Sequence, residues 1–267
     1  MPGSLQGSSD RNQRRCLQMP SGGKSNTRRS HQEAWGKLAF EHPALVLCYP
    51  RLKQAIDVSS LCHIPGRDSG ARGPNHPTVT MFLASFVELE RRGLIELGPS
   101  ASRGARRDHE GVWATKKSTQ CQGAGTAAQV FNCINHGHSP VEDVVARFLK
   151  RCNRNPWSLA LYIGIEEARS YGYITRQTWP ARGIKGWLSR LGFCDDIQTV
   201  WVRNGLKSRD AKQASRLLRV HMDEYRSKAQ GIYNALSESI LEGIHRGEEP
   251  ASRRIIRLPL LRKRLAH

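Results

Sequence analysis

Residues 78–97 constrain the fold most, because a helix, a glycine stop and a strand follow one another there without a gap. Thr78 stands directly after Pro77 and is predicted to cap the helix through its hydroxyl group. Gly93 is predicted to end the helix in a left-handed conformation, and residues 94–97 then predict a short strand. Between the cap and the stop, apolar side chains recur at helical spacing, at Val79, Phe82, Leu83, Phe86 and Val87.

A basic loop and a returning strand follow this helix and strand. The loop carries Arg103, Arg106 and Arg107, and residues 112–115 predict the second strand of a hairpin. This order is that of the second half of a winged helix-turn-helix, which sets its helix in a DNA groove and its loop on phosphates. Besides the loop arginines, the candidate nucleic-acid contacts of this unit are Thr78, Thr80, Arg91, Arg92, Lys116 and Lys117.

A second segment of the same kind ends at Gly172, which precedes a predicted strand. Residues 139–142 predict a capping box with Pro140 at the first helical position. The apolar stripe of the helix that starts there consists of Val141, Val144, Val145, Phe148 and Leu149. A further helix is predicted over residues 155–169, with three side chains facing inward, those of Leu159, Tyr162 and Ile165.

We therefore predict a mainly α fold with small β wings, in which tandem winged-helix-like units are followed by a long C-terminal helix. The predicted order is a disordered basic tail, two winged-helix-like units, a long amphipathic helix and a basic tail, over residues 1–33, 34–120, 121–207, 208–249 and 250–267. Residues 35–56 predict a helical segment broken at Pro43 and Pro50. Gly231 is predicted to kink the long helix, whose apolar stripe over residues 208–246 is suited to a homodimer.

The charge of the chain indicates a polyanionic partner. Lys and Arg number 42 against 23 Asp and Glu, which gives a formal net charge of +19. Nucleic acid and anionic membrane surfaces are the two obvious polyanions. The excess of Arg over Lys favours bidentate phosphate contacts, although a GC-rich genome also raises Arg. The C-terminal tail adds a second basic cluster, made of Arg253, Arg254, Arg257, Arg262, Lys263 and Arg264.

The sequence FLASFVELERRGLIEL at residues 82–97 resembles the Golgi phosphoprotein family, which binds phosphatidylinositol 4-phosphate. In that family too a basic loop follows the strand, and a P-x-E helix start follows later, as at residues 140–142 here. The resemblance covers residues 78–176, and the same stretch is similar to tandem winged helices. It implies a helical peripheral membrane adaptor whose loop at residues 103–107 lies near the lipid headgroup.

Motifs of catalysis and of metal binding are absent from the sequence. Walker, dinucleotide-binding, nucleophile-elbow and zinc-protease motifs do not occur, so we predict no enzyme activity and no cofactor. The tightest Cys/His group lacks the paired C-x2-4-C spacing of zinc sites, and it consists of Cys121, Cys133, His136 and His138. An odd count of seven cysteines without a secretory signal predicts an intracellular protein, cytoplasmic or nuclear, with organellar targeting as an alternative.

These observations predict a non-enzymatic nucleic-acid-binding protein that uses a basic wing loop and basic tails. The nucleic acid is DNA or RNA, and no small-molecule substrate is evident. One alternative is a peripheral membrane adaptor that binds anionic lipid headgroups. Another is a helical protein-interaction scaffold, since winged helices also serve in protein interactions.

Overall fold

The computed structural model describes residues 23–52, 55–57, 72–99, 111–180, 187, 190–192 and 197–248. Within these residues the protein is mainly helical with small antiparallel sheets, which confirms the predicted fold class. The α-helices are α1 (Gly23–Glu41), α2 (Pro43–Cys48), α3 (Pro77–Arg91), α4 (Thr126–Phe131), α5 (Val141–Cys152), α6 (Leu159–Ser170), α7 (Gly205–Lys228) and α8 (Gln230–Glu248). The strands are β1 (Ala55–Asp57), β2 (Ile95–Pro99), β3 (Val112–Lys116), β4 (His138–Pro140), β5 (Ile174–Pro180) and β6 (Ile197–Arg203).

Two three-stranded sheets accompany the helices in the described residues, with strand orders β1-β6-β5 and β2-β3-β4. The predicted hairpin is present as β2 and β3, and β4 adds to it through the pairs Trp113 with Pro140 and Thr115 with His138. Each sheet joins strands from both sides of residue 120, the predicted boundary between the two winged-helix-like units. The division into tandem units therefore stays a prediction, and such units would share both sheets.

The N-cap of helix α3 lies two residues before the predicted cap. The N-cap is His76, whose Nδ1 accepts a hydrogen bond from Thr78 N at 3.2 Å, so the prediction of Thr78 as the cap is wrong. Pro77 takes the first helical position, where a missing N–H leaves no bond unmade. The predicted stop is confirmed, because the helix ends at Arg91 and Gly93 has a φ of +69°.

Helix α5 buries its predicted apolar stripe, but the predicted capping box does not form. All five stripe residues from Val141 to Leu149 are buried. Ser139 lies in β4 opposite Ala114, and its Oγ accepts a hydrogen bond from Asn135 N at 3.1 Å. Pro140 is the N-cap, and it makes no side-chain hydrogen bond to the first turn of the helix. Ser139 therefore pairs within the sheet, although the local sequence predicts that it caps helix α5.

The helix predicted over residues 155–169 is a 3-10 turn, Pro156–Ser158, followed by α6. Leu159 and Ile165 are buried as predicted. The inward orientation predicted for Tyr162 is wrong, because this side chain is 40% exposed and its hydroxyl accepts a hydrogen bond from Arg154 Nη2 at 3.3 Å. Gly172 has a φ of +67° just before β5, which confirms the second glycine stop.

The helix predicted over residues 208–246 is divided into α7 and α8. Ala229 separates them with a φ of −139° and a ψ of 51°, two residues before the kink predicted at Gly231. The apolar stripe of both helices is buried within the chain, mainly at Leu218, Met222, Leu236, Ile240 and Ile244. Helix α8 packs chiefly on α5. The stripe that predicts a homodimer is thus already covered within one chain.

The N-terminal part of the described chain is more helical than composition suggests. Residues 23–33, predicted to be part of a disordered tail, belong to α1. The helix ends at Glu41, and Pro43 occupies the first turn of α2, which confirms the predicted break. The break predicted at Pro50 falls in a 3-10 turn, Tyr49–Arg51.

One buried carboxylate joins the N-termini of two helices. Glu167 accepts hydrogen bonds from Leu45 N at 3.2 Å, in the first turn of α2, and from Thr126 N at 2.9 Å and Thr126 Oγ1 at 2.7 Å, at the start of α4. The N–H groups of a first helical turn have no partner in their own helix, and the helix dipole favours a negative charge beside them. His42 Nδ1 also lies 3.1 Å from Glu167 Oε1.

The close crossing of α8 and α5 depends on a residue without a side chain. A Cβ at Gly243 would lie 2.7 Å from Glu142 O and 2.8 Å from Val145 Cβ, so the helices would have to separate. We expect Gly243→Ala to lower the free energy of unfolding by about 1–3 kcal/mol in urea denaturation. Gly231→Ala is the matched control on the same helix, since nothing lies within 4 Å of its added Cβ. It should gain up to about 1 kcal/mol. Equal stability of Gly243→Ala and wild type would contradict the close crossing.

Candidate nucleic-acid interface

The loop and tail cations that the sequence singled out lie outside the described residues. This holds for Arg103, Arg106, Arg107, Arg253, Arg254, Arg257, Arg262, Lys263 and Arg264. Their role in binding stays a prediction. The other candidates can be placed, and they are Thr78, Thr80, Arg91, Arg92, Lys116 and Lys117.

Helix α3, the candidate recognition helix, lies in the core. Eleven of its residues are buried, including the polar residues Thr78, Ser85 and Glu88. Thr78 is fully buried and its Oγ1 donates to Pro156 O at 2.9 Å, so it does not belong to a binding surface. Thr80 is half-buried and its Oγ1 donates to His76 O at 3.1 Å. The hydroxyl groups of Thr78 and Thr80, which were predicted to face DNA, donate hydrogen bonds to backbone carbonyl groups of the protein instead.

The two arginines at the end of α3 contact the protein itself. Arg91 forms an ion pair with the fully buried Glu88, with 3.3 Å between Nη2 and Oε2. Arg92 donates from Nη2 to Gly36 O at 3.1 Å and lies over the Phe40 ring at 3.7 Å. Burial is the main cause that lowers the pKa of Arg92. Both side chains therefore have intramolecular roles that account for their positions.

The two lysines at the end of the hairpin are likewise engaged. Lys116 lies over the Phe131 ring at 4.4 Å, and burial lowers the pKa of its ammonium group. Lys117 pairs with Glu96 across the hairpin, and this hydrogen bond lowers the pKa of the Glu96 carboxyl. Cation–π contacts and exposed ion pairs of this kind contribute little, so a phosphate could still compete for either lysine.

A set of cations that form no ion pair with the described residues lies instead on α7. Its exposed face carries four basic side chains at spacings of three, four and three residues, namely Arg209, Lys212, Arg216 and Arg219, which we call the basic stripe. At 3.6 residues per turn they fall within an arc of about 80° and span about 15 Å along the axis. The opposite face of α7 is anchored in the core by Ala211, Ala214, Ser215, Leu218 and Met222. The core therefore holds the stripe outward.

The basic stripe has no acidic partner among the described residues. None of its four side chains takes part in the ion pairs found there. Asp210, the acid nearest in sequence, accepts a hydrogen bond from Trp35 Nε1 at 3.0 Å, on the inner side of the helix. Asp223 is exposed one turn beyond the stripe. The stripe thus presents unneutralised positive charge to solvent.

The chain was compared with protein families, with curated proteins and with solved structures. No family model, curated protein or solved structure matches the chain. The resemblances to the Golgi phosphoprotein family and to tandem winged helices therefore remain predictions. Because a fold alone does not determine function, the chemistry of the site is what bears on the function of this protein.

The candidate chemical groups do not converge on a catalytic or metal site in the described part of the chain. No group of three or more metal-ligating side chains occurs there, and Cys133 is buried with its thiol pKa raised by that burial. Glu166 and Glu167 line a cleft of about 340 Å³ but have separate roles. Glu166 pairs with Arg169 at 3.0 Å, whereas Glu167 joins two helices. Within the same residues, no helix is both long and apolar enough to cross a bilayer.

Proposed function

We propose that this protein is a non-enzymatic nucleic-acid-binding protein that contacts the phosphate backbone through the basic stripe of α7. The observation that carries the proposal is the set of four exposed cations on one helix face without an acidic partner in the described residues. Cations that are already paired gain little from a phosphate, since they must first give up a partner. Unpaired cations have no such cost.

The dimensions of the basic stripe suit a phosphate backbone. Its length of about 15 Å matches roughly four successive phosphates of one strand, at about 3.4 Å of axis each. Three of its four residues are Arg, whose planar guanidinium binds phosphate oxygens in a bidentate way. Each neutralised phosphate releases condensed counterions, which favours binding at low salt. The net charge of +19 would also attract the polyanion from a distance.

An anionic membrane surface is the second candidate partner. Beside the basic stripe, α7 exposes two apolar side chains, Leu206 at 88% and Val220 at 49%. Basic residues with neighbouring apolar groups are typical of helices that lie in a lipid interface. These two residues are 14 positions apart, however, and form no continuous apolar face. Nucleic acid and anionic lipid both present phosphate groups, so an experiment has to distinguish the two partners.

The proposed function is tested by titrating the full chain at several salt concentrations. The three probes are a 20-base-pair DNA duplex, a 20-nucleotide RNA, and vesicles containing phosphatidylserine. We expect binding to the nucleic acids at low salt, with the logarithm of the binding constant falling steeply and linearly with the logarithm of salt. Binding to vesicles alone would overturn the proposal in favour of the membrane adaptor. Binding to none of the probes would overturn both.

A further inference from the structure

The sheet β2-β3-β4 has an outer face that exposes an aromatic ring. Residues of β3 alternate, so that Val112 and Ala114 are buried while Trp113 and Thr115 face outward and are partly exposed. Trp113 is flanked by Gly98 on β2 and by Pro140 on β4. Its two cross-strand partners in the described sheet are thus a glycine and a proline, neither of which has a long side chain to cover the ring.

The space beside Trp113 is open. No heavy atom of the described residues lies within 4 Å of a Cβ built at Gly98, so the Trp113 ring does not fold over that position. On the β4 side, the rings of His138 and Trp113 meet nearly edge to face, at 6.3 Å between centroids and an interplanar angle of 86°. His138 Nδ1 lies 2.6 Å from Thr115 Oγ1, which holds the imidazole in place. A flat aromatic group could therefore enter above Gly98 and stack on Trp113.

A basic cleft begins where this face ends. It has a volume of about 330 Å³, and its lining includes His138, Arg147 and Lys150. Arg147 and Lys150 form no ion pair among the described residues. The acid that lines the cleft, Asp143, has its carboxylate bound by Arg246 Nη1 at 3.0 Å. The cleft is therefore positive, and His138 belongs both to its wall and to the aromatic face.

We infer that this face and cleft bind single-stranded nucleic acid, with one base stacked on Trp113 and a neighbouring phosphate held by Arg147 and Lys150. The inference rests on the proposed function and specifies the form of the nucleic acid. In a duplex each base is stacked on both sides, so a base free to stack on a partly exposed indole belongs to a single strand. Stacking and phosphate contact in adjacent positions are the combination that single-strand binding uses.

The test compares variants of the full chain for binding to fluorescein-labelled oligouridine and oligothymidine of 12 nucleotides and to a 12-base-pair duplex. Trp113→Leu should weaken binding to the single strands by about 10-fold, because one base–aromatic stack is lost. Binding to the duplex should be unchanged. Trp113→Phe keeps an aromatic surface and should retain most of the affinity. Arg147→Gln with Lys150→Gln should weaken single-strand binding and reduce its salt dependence.

A second variant leaves Trp113 intact and guards against an effect on folding. Gly98→Val fills the open space beside the ring and suits a strand, so it should weaken single-strand binding while urea denaturation stays close to wild type. Equal single-strand affinities of wild type, Trp113→Leu and Gly98→Val would overturn the inference while leaving the proposed function in place. A wild-type chain that binds neither single strand nor duplex would overturn the proposed function itself.

Discussion

Replacing Glu167 with alanine is expected to lower the free energy of unfolding by about 3–5 kcal/mol. The carboxylate is buried and accepts three hydrogen bonds, from Leu45 N, Thr126 N and Thr126 Oγ1. Its loss leaves backbone donors in the first turns of α2 and α4 without their acceptor at a buried position. Since domains are stable by only about 5–15 kcal/mol, this is a large fraction of the total. Urea denaturation followed by circular dichroism measures it.

Glu166→Ala is the matched control for this prediction. Glu166 is the preceding residue on α6, its side chain is 39% exposed, and its contact is an ion pair with Arg169. Exposed pairs of this kind contribute about 0–1 kcal/mol, so the control should remain close to wild type. If both variants lost the same stability, the account of Glu167 as the link between two helices would be wrong.

Neutralising the basic stripe is expected to weaken binding to a DNA duplex by about 100-fold at 0.1 M salt. The variant replaces Arg209, Lys212, Arg216 and Arg219 with glutamine, which is compatible with a helix and removes no ion pair found in the described residues. Because all four side chains are exposed, the stability of the protein should hardly change. Fluorescence anisotropy with a labelled duplex measures the affinity.

The control for the stripe variant removes the same charge elsewhere. It replaces four exposed cations that are already paired with acids, namely Lys37, Arg72, Arg169 and Arg246, with glutamine. Both variants lower the net charge of +19 by four units, so they share any effect of overall charge. The control should lose much less affinity than the stripe variant. Equal losses would mean that affinity follows net charge and that the stripe is not a site.

Apolar spacing and glycine positions in the sequence predicted the helices, helix ends and hairpin that depend on interactions between residues close in sequence. The apolar spacing of α5 predicted all five buried residues of its stripe, because one helix face had to meet the core. Gly93 and Gly172 were predicted to end helices, and both adopt the positive φ that glycine tolerates best. The hairpin of β2 and β3 follows from the same local reading.

Contacts between residues far apart in sequence could not be predicted in this way. Thr78 is polar and was expected at the surface, yet its hydroxyl meets the carbonyl of Pro156, which packing of α3 brings beside it. Ser139 has the sequence of a cap but pairs with β3 instead. Glu167 gives no local sign of its role, because its partners lie 41 and 122 residues away. Such polar side chains find their partners once the core has formed.

The sequence predicted a phosphate-binding site but did not single out the basic stripe, and phosphate binding itself stays a prediction. Net charge predicted a phosphate partner, but the described candidates Arg91, Arg92, Lys116 and Lys117 all contact the protein itself. The basic stripe did have a signal, since its spacing of three, four and three residues marks one helix face. That signal is weak alone, because the sequence does not say which cations will find an acid. Packing leaves these four without an acidic partner among the residues that the structure describes.

The most direct test of the central claim is the salt dependence of duplex binding, compared between wild type and the stripe variant. If the basic stripe contacts four phosphates, its loss should reduce the slope of the logarithm of affinity against the logarithm of salt by about 3 to 4. The control with four paired cations replaced should keep most of the wild-type slope. A stripe variant whose slope equals that of wild type would show that the phosphates are bound elsewhere, and would contradict the account.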